Sequence, residues 1–363
     1  MNGAGYDLAV VGGGPAGSSA AITAAHAGLA VALFEAGKFP RQKVCGEFVS
    51  AESLELLREL LRQHPQADKV LHEAPVIAST RLFLSGSLVS ASVLPHALSI
   101  PRYVLDLLLW EAAQQSGAVA CSRCEVLSIE GSGPFSVHTT QGHVRAKAVI
   151  VCAGRWSRFS HIPNRPPGSK WLGIKAHYRE QDPPQSTDIY FFDHGYCGVQ
   201  PVSGDVVNVC AMIRSDHASS LQEVFHLSSE LARRSEGWKQ VTPPVTTAPL
   251  IYRTPEPVRE NLLMAGDAAA FIDPFAGDGI SLALRSGRIA AICLVPFVAG
   301  AEPLQDAVVR YQCRYERDFA PLIAAAARLR RMLNLPDPAR RAAFQLLRIP
   351  GIMPYLIRKT RVA

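Results

Sequence analysis

Charge is scarce in this 363-residue chain, at 19%, and aromatic residues are scarcer at 7%, while hydrophobic residues reach 48%. That balance excludes a disordered polyelectrolyte and suits two intimately connected domains. Long hydrophobic runs are also missing. Ile289–Ala301 is 13 residues and contains Pro296, too short to span a bilayer. No leader peptide is expected, because a glycine cluster begins at Gly12 and leaves no room for a basic and then apolar segment. No repeat at a solenoid period is present. Eight cysteines are scattered along the chain. Cys121 and Cys124 form a CxxC, but neither a second pair nor a His-x-x-His spacing completes a zinc site, so no metal is expected. Scattered thiols suit a reducing compartment, and the expected location is the cytoplasm.

The net charge of +6 is unevenly spread: Arg328 to Ala363 holds nine Lys/Arg against one Asp, a local +8, so the remainder is close to neutral. A basic tail on a near-neutral body excludes a nucleic-acid-binding reading of the whole protein.

What is present begins at Tyr6. The apolar run Tyr6–Val11 reads as a buried parallel strand and leads directly into Gly12-Gly-Gly14-Pro-Ala16-Gly17. A small-residue helix follows to Ala27, then Gly28, a second strand to Phe34, and Glu35 at its end. Gly12 permits a tight turn, Gly14 lets the backbone approach a pyrophosphate, and Gly17 lets the helix press on the strand. The helix start offers free N–H groups and a positive dipole end to phosphates, and Glu35 is spaced to accept from a ribose. Strand, glycines, helix, strand and acid in that order define a dinucleotide-binding fold.

Far along the chain, Asn261–Ala265 reads as a strand entering Gly266-Asp267, followed by Asp273-Pro274-Phe-Ala-Gly277-Asp278-Gly279 and a helical run from Ile280. With the N-terminal fingerprint, this resembles the FAD-dependent superfamily of aromatic hydroxylases, flavin halogenases and geranylgeranyl reductases. The resemblance implies that FAD is the cofactor and that Asp267 holds its ribityl chain. It also implies that the helix start at Gly277, Gly279 and Ile280 faces the flavin pyrimidine, where a helix N-terminus stabilises an anion. Ala146–Cys152 with Ala153-Gly154-Arg155-Trp-Ser157-Arg158, and Ile100-Pro-Arg102-Tyr-Val-Leu-Asp106, are similar to two further family segments and bring in Arg102. The cofactor set is therefore Gly12, Gly14, Ala16, Gly17, Glu35, Arg41, Arg102, Gly266, Asp267, Gly277, Gly279 and Ile280. No second fingerprint follows a strand, since Gly131 and Gly133 read as a hairpin turn. NAD(P)H or another electron donor would then visit only transiently.

The run Arg41-Gln-Lys43-Val-Cys45-Gly46-Glu47 resembles the geranylgeranyl reductase branch, whose cysteine lies beside the flavin. Cys45 is the candidate catalytic residue, able to shield the flavin face, position a double bond or donate a proton. Halogenases carry Trp-x-Trp-x-x-Pro, whereas Tyr190 to Pro201 here holds no tryptophan; it also departs from the reductases' aromatic pattern. Tyr190, His194 and Tyr196 are the candidate substrate residues. The implied activity is reduction or dehydrogenation of a C=C bond in a lipophilic, isoprenoid- or polyketide-like molecule. The alternatives are an FAD-dependent monooxygenase and a non-catalytic flavin-binding protein.

The expected architecture is α/β: a Rossmann-type parallel sheet from 1–75, 100–169 and 251–300, an antiparallel substrate sheet from 76–99 and 170–250, and a helical basic region from 301–363. Interleaved arginines and apolar residues in that last region allow peripheral contact with an anionic membrane, against the plainer reading of a packed helix with a solvated basic face.

Overall fold

A computed structural model describes residues 3–155, 159, 170–250, 252, 254–272, 277–333, 335–349 and 351–359. Ser157, Arg158, Asp273 and Pro274, singled out above, lie outside the described residues. The chain runs β1 (Gly5–Val11), α1 (Pro15–His26), β2 (Val31–Glu35), β3 (Phe48–Val49), α2 (Ala51–Leu60), α3 (Ala67–Glu73), β4 (Val76–Leu84), β5 (Ser87–Ser99) and α4 (Arg102–Gln115). It continues through β6 (Val119–Ser122), β7 (Val126–Glu130), β8 (Phe135–Thr139), β9 (Gly142–Val151), β10 (Trp171–Arg179), β11 (Ser186–Phe192), β12 (Gly195–Ser203) and β13 (Val206–Arg214). Then come α5 (Leu221–Phe225), α6 (Ser229–Ser235), β14 (Lys239–Gln240), β15 (Val245–Thr247), β16 (Val258–Arg259) and β17 (Leu262–Met264). Helices α7 (Gly279–Val298), α8 (Leu304–Leu333), α9 (Asp337–Leu346) and α10 (Ile352–Lys359) close the chain.

Two sheets carry the fold. The first has the order β16-β17-β9-β1-β2-β6, parallel from β17 to β6, with β8 joined antiparallel to β9 and β7 to β8. Its central strands are buried on both faces, with Leu8, Ala9 and Val10 fully excluded from solvent, which is what two layers of helices on a parallel sheet demand. The second sheet runs β14-β10-β13-β12-β11-β4-β5-β3, with β15 also on β10. It is antiparallel except where β11 lies parallel to β4, a departure from the expected wholly antiparallel sheet. Two adjacent segments far apart in sequence meet there without a hairpin to fix their direction.

Small residues set how the helices meet the first sheet. Pro15 opens α1 at a position where its missing N–H costs nothing. A Cβ on Gly287 would run into the Ala16 carbonyl, so α7 lies directly against α1, and Ser19 donates across the join to the Leu284 carbonyl at 2.7 Å. Helix α7, at 20 residues, is apolar enough to cross a membrane by length and composition alone. Most of it is buried inside the protein, so its apolarity is spent on the core. Helix α8 covers its other flank, burying Tyr311, Tyr315 and Phe319.

Candidate functional site

A cavity of about 860 Å³ lies between the two sheets. Its floor is built by the loops leaving the first sheet and its wall by one face of the second. Strand alternation decides which residues reach it. Thr80, Leu82 and Leu84 of β4, Ile189 and Phe191 of β11, Tyr196, Gly198 and Gln200 of β12, and Cys210 and Met212 of β13 line it. The residues between them, such as Phe83, Tyr190, Cys197 and Val209, fill a separate core on the opposite face.

The nucleotide end matches what the glycines require. Gly12, at φ +103, turns so tightly that a Cβ would strike the Cys152 carbonyl, and a Cβ on Gly17 would strike the Gly12 carbonyl. Among the described residues, only the tip of Arg41 comes within 4.0 Å of a Cβ at Gly14, leaving the start of α1, which no described side chain caps, open to the cavity. Glu35 accepts from Gly13 N–H at 2.9 Å and Gly37 N–H at 2.8 Å and pairs with Arg41. Burial pushes its carboxyl up, but the Arg41 charge and these three hydrogen bonds outweigh it and hold the group below its usual range. Four lone pairs against three donors leave room for a ribose hydroxyl. At the far end Asp267 lines the cavity, and Gly266, at φ +60, donates its N–H to Ser286 Oγ at 2.9 Å. Helix α7 begins at Gly279 with no side-chain cap, and Gly277, Gly279 and Ile280 line the cavity beside it. A phosphate-ready helix start, an acid at ribose position, a second acid and a second open helix start all line one cavity and fit the parts of FAD. Arg102, the other arginine of the set, also lines the cavity, with its guanidinium held by both carboxylate oxygens of buried Asp106, at 2.7 and 2.9 Å.

Cys45 lines the cavity, partly buried, with its Sγ accepting from Glu47 N–H at 3.3 Å. Its loop is tied to the second sheet, since Asn208 Nδ2 donates to the Cys45 and Gly46 carbonyls at 3.0 Å each. Of the three expected substrate residues only Tyr196 lines the cavity. Tyr190 is on the opposite face of its strand, stacked on Phe83 at 4.5 Å and bonded through its hydroxyl to Arg234 at 3.0 Å. His194 occupies the exposed β11–β12 turn at φ +64 and stacks on His217 at 3.9 Å, so neither it nor Tyr190 reaches the cavity.

Sequence reasoning missed three groups. Glu47 is fully buried at φ +64 and binds Lys175 Nζ at 2.5 Å, His177 Nε2 at 2.8 Å and Arg102 N–H at 2.8 Å. Lys and His two apart in the apolar strand β10 share one face, and that spacing was the readable signal. The third miss is the roof. Phe344, Leu347, Met353 and Leu356 of the C-terminal region line the cavity, so this region helps enclose the site instead of standing apart from it.

A dinucleotide fold joined to a sheet-walled apolar cavity defines a flavoprotein oxidoreductase. Residues 40–291 match the family described as FAD dependent oxidoreductase, residues 7–48 match a second family of that description, and the chain belongs to the FAD-dependent oxidoreductases. It is 27% identical to digeranylgeranylglycerophospholipid reductase 1 of Methanopyrus kandleri, over 96% of this chain and 98% of that protein. It is 24% identical to conditioned medium factor receptor 1 of Dictyostelium discoideum, over 85% of this chain but only 66% of that longer protein. Among solved structures, a flavin-dependent brominase superposes with a TM-score of 0.81 at 22% identity, covering 98% of this chain and 93% of that one. A geranylgeranyl bacteriochlorophyll reductase-like protein of Thermoplasma acidophilum gives 0.75 at 21% identity, covering 98% and 96%. The solved structures share the fold. The Methanopyrus relative supports the geranylgeranyl reductase-like branch indicated by Lys43-x-Cys45-Gly46.

Proposed function

We propose that this enzyme reduces, or in the reverse sense dehydrogenates, a C=C bond in a lipophilic, isoprenoid-like molecule. The observation that carries the reading is the continuity of the cavity from the open start of α1 to a wall of Leu82, Leu84, Ile189, Phe191, Met212 and Phe344. Such a wall rewards burial of a hydrocarbon chain at about 25 cal/mol per Å² and offers few groups to bind a polar substrate. The relative named as a reductase of digeranylgeranylglycerophospholipid supports the same substrate class.

Bound FAD supplies the electron pair. The chain's own residues do the rest: Gly12, Gly14 and the start of α1 receive the phosphates, and Glu35 and Asp267 receive hydroxyls of the nucleotide. Asn208 fixes the Cys45–Gly46 loop at the cavity wall, and the apolar wall excludes water. An external reductant, NAD(P)H or another donor, must reload the cofactor.

Contact with an anionic membrane surface belongs to the same proposal. Leu346 is 56% exposed, Ile349 49% and Tyr355 52%, and exposed Arg341 and Arg348 flank the first two, while the neighbouring Phe344 and Met353 turn inward. Apolar side chains among arginines at the cavity roof match an anionic bilayer that holds the substrate. Pelleting with anionic liposomes tests it: Leu346→Asp/Ile349→Asp stays in the supernatant while the parent sediments, and equal partitioning would refute it.

The reaction is tested by reducing the FAD-loaded enzyme anaerobically and mixing it with a polyprenyl lipid. Flavin reoxidation with gain of one hydrogen pair in the product is expected. Reoxidation only on admitting oxygen, with an oxygen atom added to the product, would replace the reading with monooxygenation.

A further inference from the structure

Buried ion pairs cost desolvation that an apolar pair of the same size avoids, so a fully buried one calls for a reason. Glu47 is 0% exposed, Lys175 1% and His177 3%. Glu47 also holds a left-handed backbone conformation that side-chain-bearing residues rarely adopt. These residues form one connected line. His177 Nε2 meets Glu47 Oε2 at 2.8 Å, Glu47 Oε1 meets Lys175 Nζ at 2.5 Å, and Lys175 Nζ meets Gln42 Oε1 at 2.6 Å. One end opens on the cavity, which Gln42 and Glu47 both line. The other end is His177, itself 3% exposed, whose ring lies 6.2 Å from that of the 37%-exposed Tyr103.

We propose that His177 and Glu47, with Lys175 positioning the carboxylate, form a proton path that carries protons between solvent and the flavin cavity. The inference rests on the cofactor and not on the substrate, because reducing FAD takes up a proton whatever follows. The N–H bond of His177 breaks as an O–H forms on Glu47 Oε2; that O–H then breaks as a group in the cavity takes the proton, and solvent reprotonates the imidazole. Lys175 and the Arg102 N–H hold the carboxylate in line. The other ionisable groups facing Glu47 are Tyr103 of α4, Cys210 of β13 and Cys45 of its own loop. Burial pushes the Cys210 thiol up to about 12, so it keeps its proton. Burial pushes the Glu47 carboxyl up, but His177 and Lys175 outweigh it and hold the group below its usual range. Glu47 therefore rests as the carboxylate, able to accept a proton from His177.

The test is rapid anaerobic reduction of the FAD-loaded enzyme by photogenerated deazaflavin, in weak buffer with a pH-indicating dye. Flavin bleaching and proton uptake are read together. In the parent the two coincide. In Glu47→Gln and His177→Ala the flavin bleaches as before while uptake lags roughly ten-fold or more, and added imidazole restores the timing in His177→Ala alone. Parent-like uptake in FAD-loaded His177→Ala would overturn the path, as would imidazole acting equally on Glu47→Gln. If Glu47→Gln does not retain FAD, His177→Ala with and without imidazole decides.

Discussion

Asn208 binds the loop of Cys45 across the two sheets: one side-chain nitrogen reaches the carbonyls of Cys45 and Gly46, 3.0 Å from each. Asn208 is 1% exposed and sits opposite His177 in the β10–β13 pairing, so the strand pair that carries the buried ionic line also holds the loop. Asn208→Ala leaves both carbonyls without that donor in a part-buried place. The expected cost is about 1–3 kcal/mol of stability, together with a change in the visible spectrum of bound FAD as the loop loosens. Thermal melting and a flavin spectrum check it; an unchanged spectrum would show that the loop is held without Asn208.

The acid limit of the holoenzyme follows from Glu35 and Glu47. Both carboxyls lie below the ordinary glutamate value of 4.5 in the folded protein. Each therefore contributes stability that is complete above about 4.5 and is lost as pH falls through its folded value. FAD retention is expected to be flat from neutrality to about pH 4.5 and to fall as pH drops below that through the lowered folded values. In Glu35→Gln the fall becomes shallower, and FAD affinity at neutral pH drops about ten-fold as the Arg41 pairing is lost. Equilibrium dialysis of FAD against pH measures both.

How far the sequence disclosed this arrangement depends on what each feature asks of the backbone. Gly12, Gly17 and Glu35 were legible because close approach and a tight turn admit few residue types. Tyr190 was not, because β11 is buried on both faces. Ile189, Tyr190, Phe191 and Phe192 are all large and apolar or aromatic, so no alternation announces which of them face the cavity. His194 is two residues from Tyr196 in sequence, but the turn carries it outward from the cavity. Glu47 meets Lys175 and His177 across about 130 residues of chain, a pairing no local pattern encodes.

Gly287 tests whether the α1–α7 join supports the cofactor site. Gly287→Val places a branched side chain against the Ala16 carbonyl, one residue before Gly17. Overpacking of this kind costs about 1–3 kcal/mol, and here the displaced segment is the phosphate-binding turn. Purified Gly287→Val is expected to melt lower and to lose FAD on gel filtration. Full flavin content at a lowered melting temperature would mean the strain is absorbed by α7 instead.

The two tyrosines of the β11–β12 hairpin separate wall from scaffold. Tyr190→Phe removes the hydroxyl bonded to Arg234, within a network that also joins Arg81, Asp188 and Glu180 behind the sheet. It should cost about 1 kcal/mol of stability and leave KM and kcat for the lipid substrate unchanged. Tyr196→Trp adds bulk to the cavity wall and should raise KM for a long-chain substrate several-fold while a short-chain analogue is turned over as before. Steady-state kinetics on two chain lengths distinguishes them. A chain-length effect from Tyr190→Phe, or none from Tyr196→Trp, would mean that the lipid does not lie along this face of the sheet.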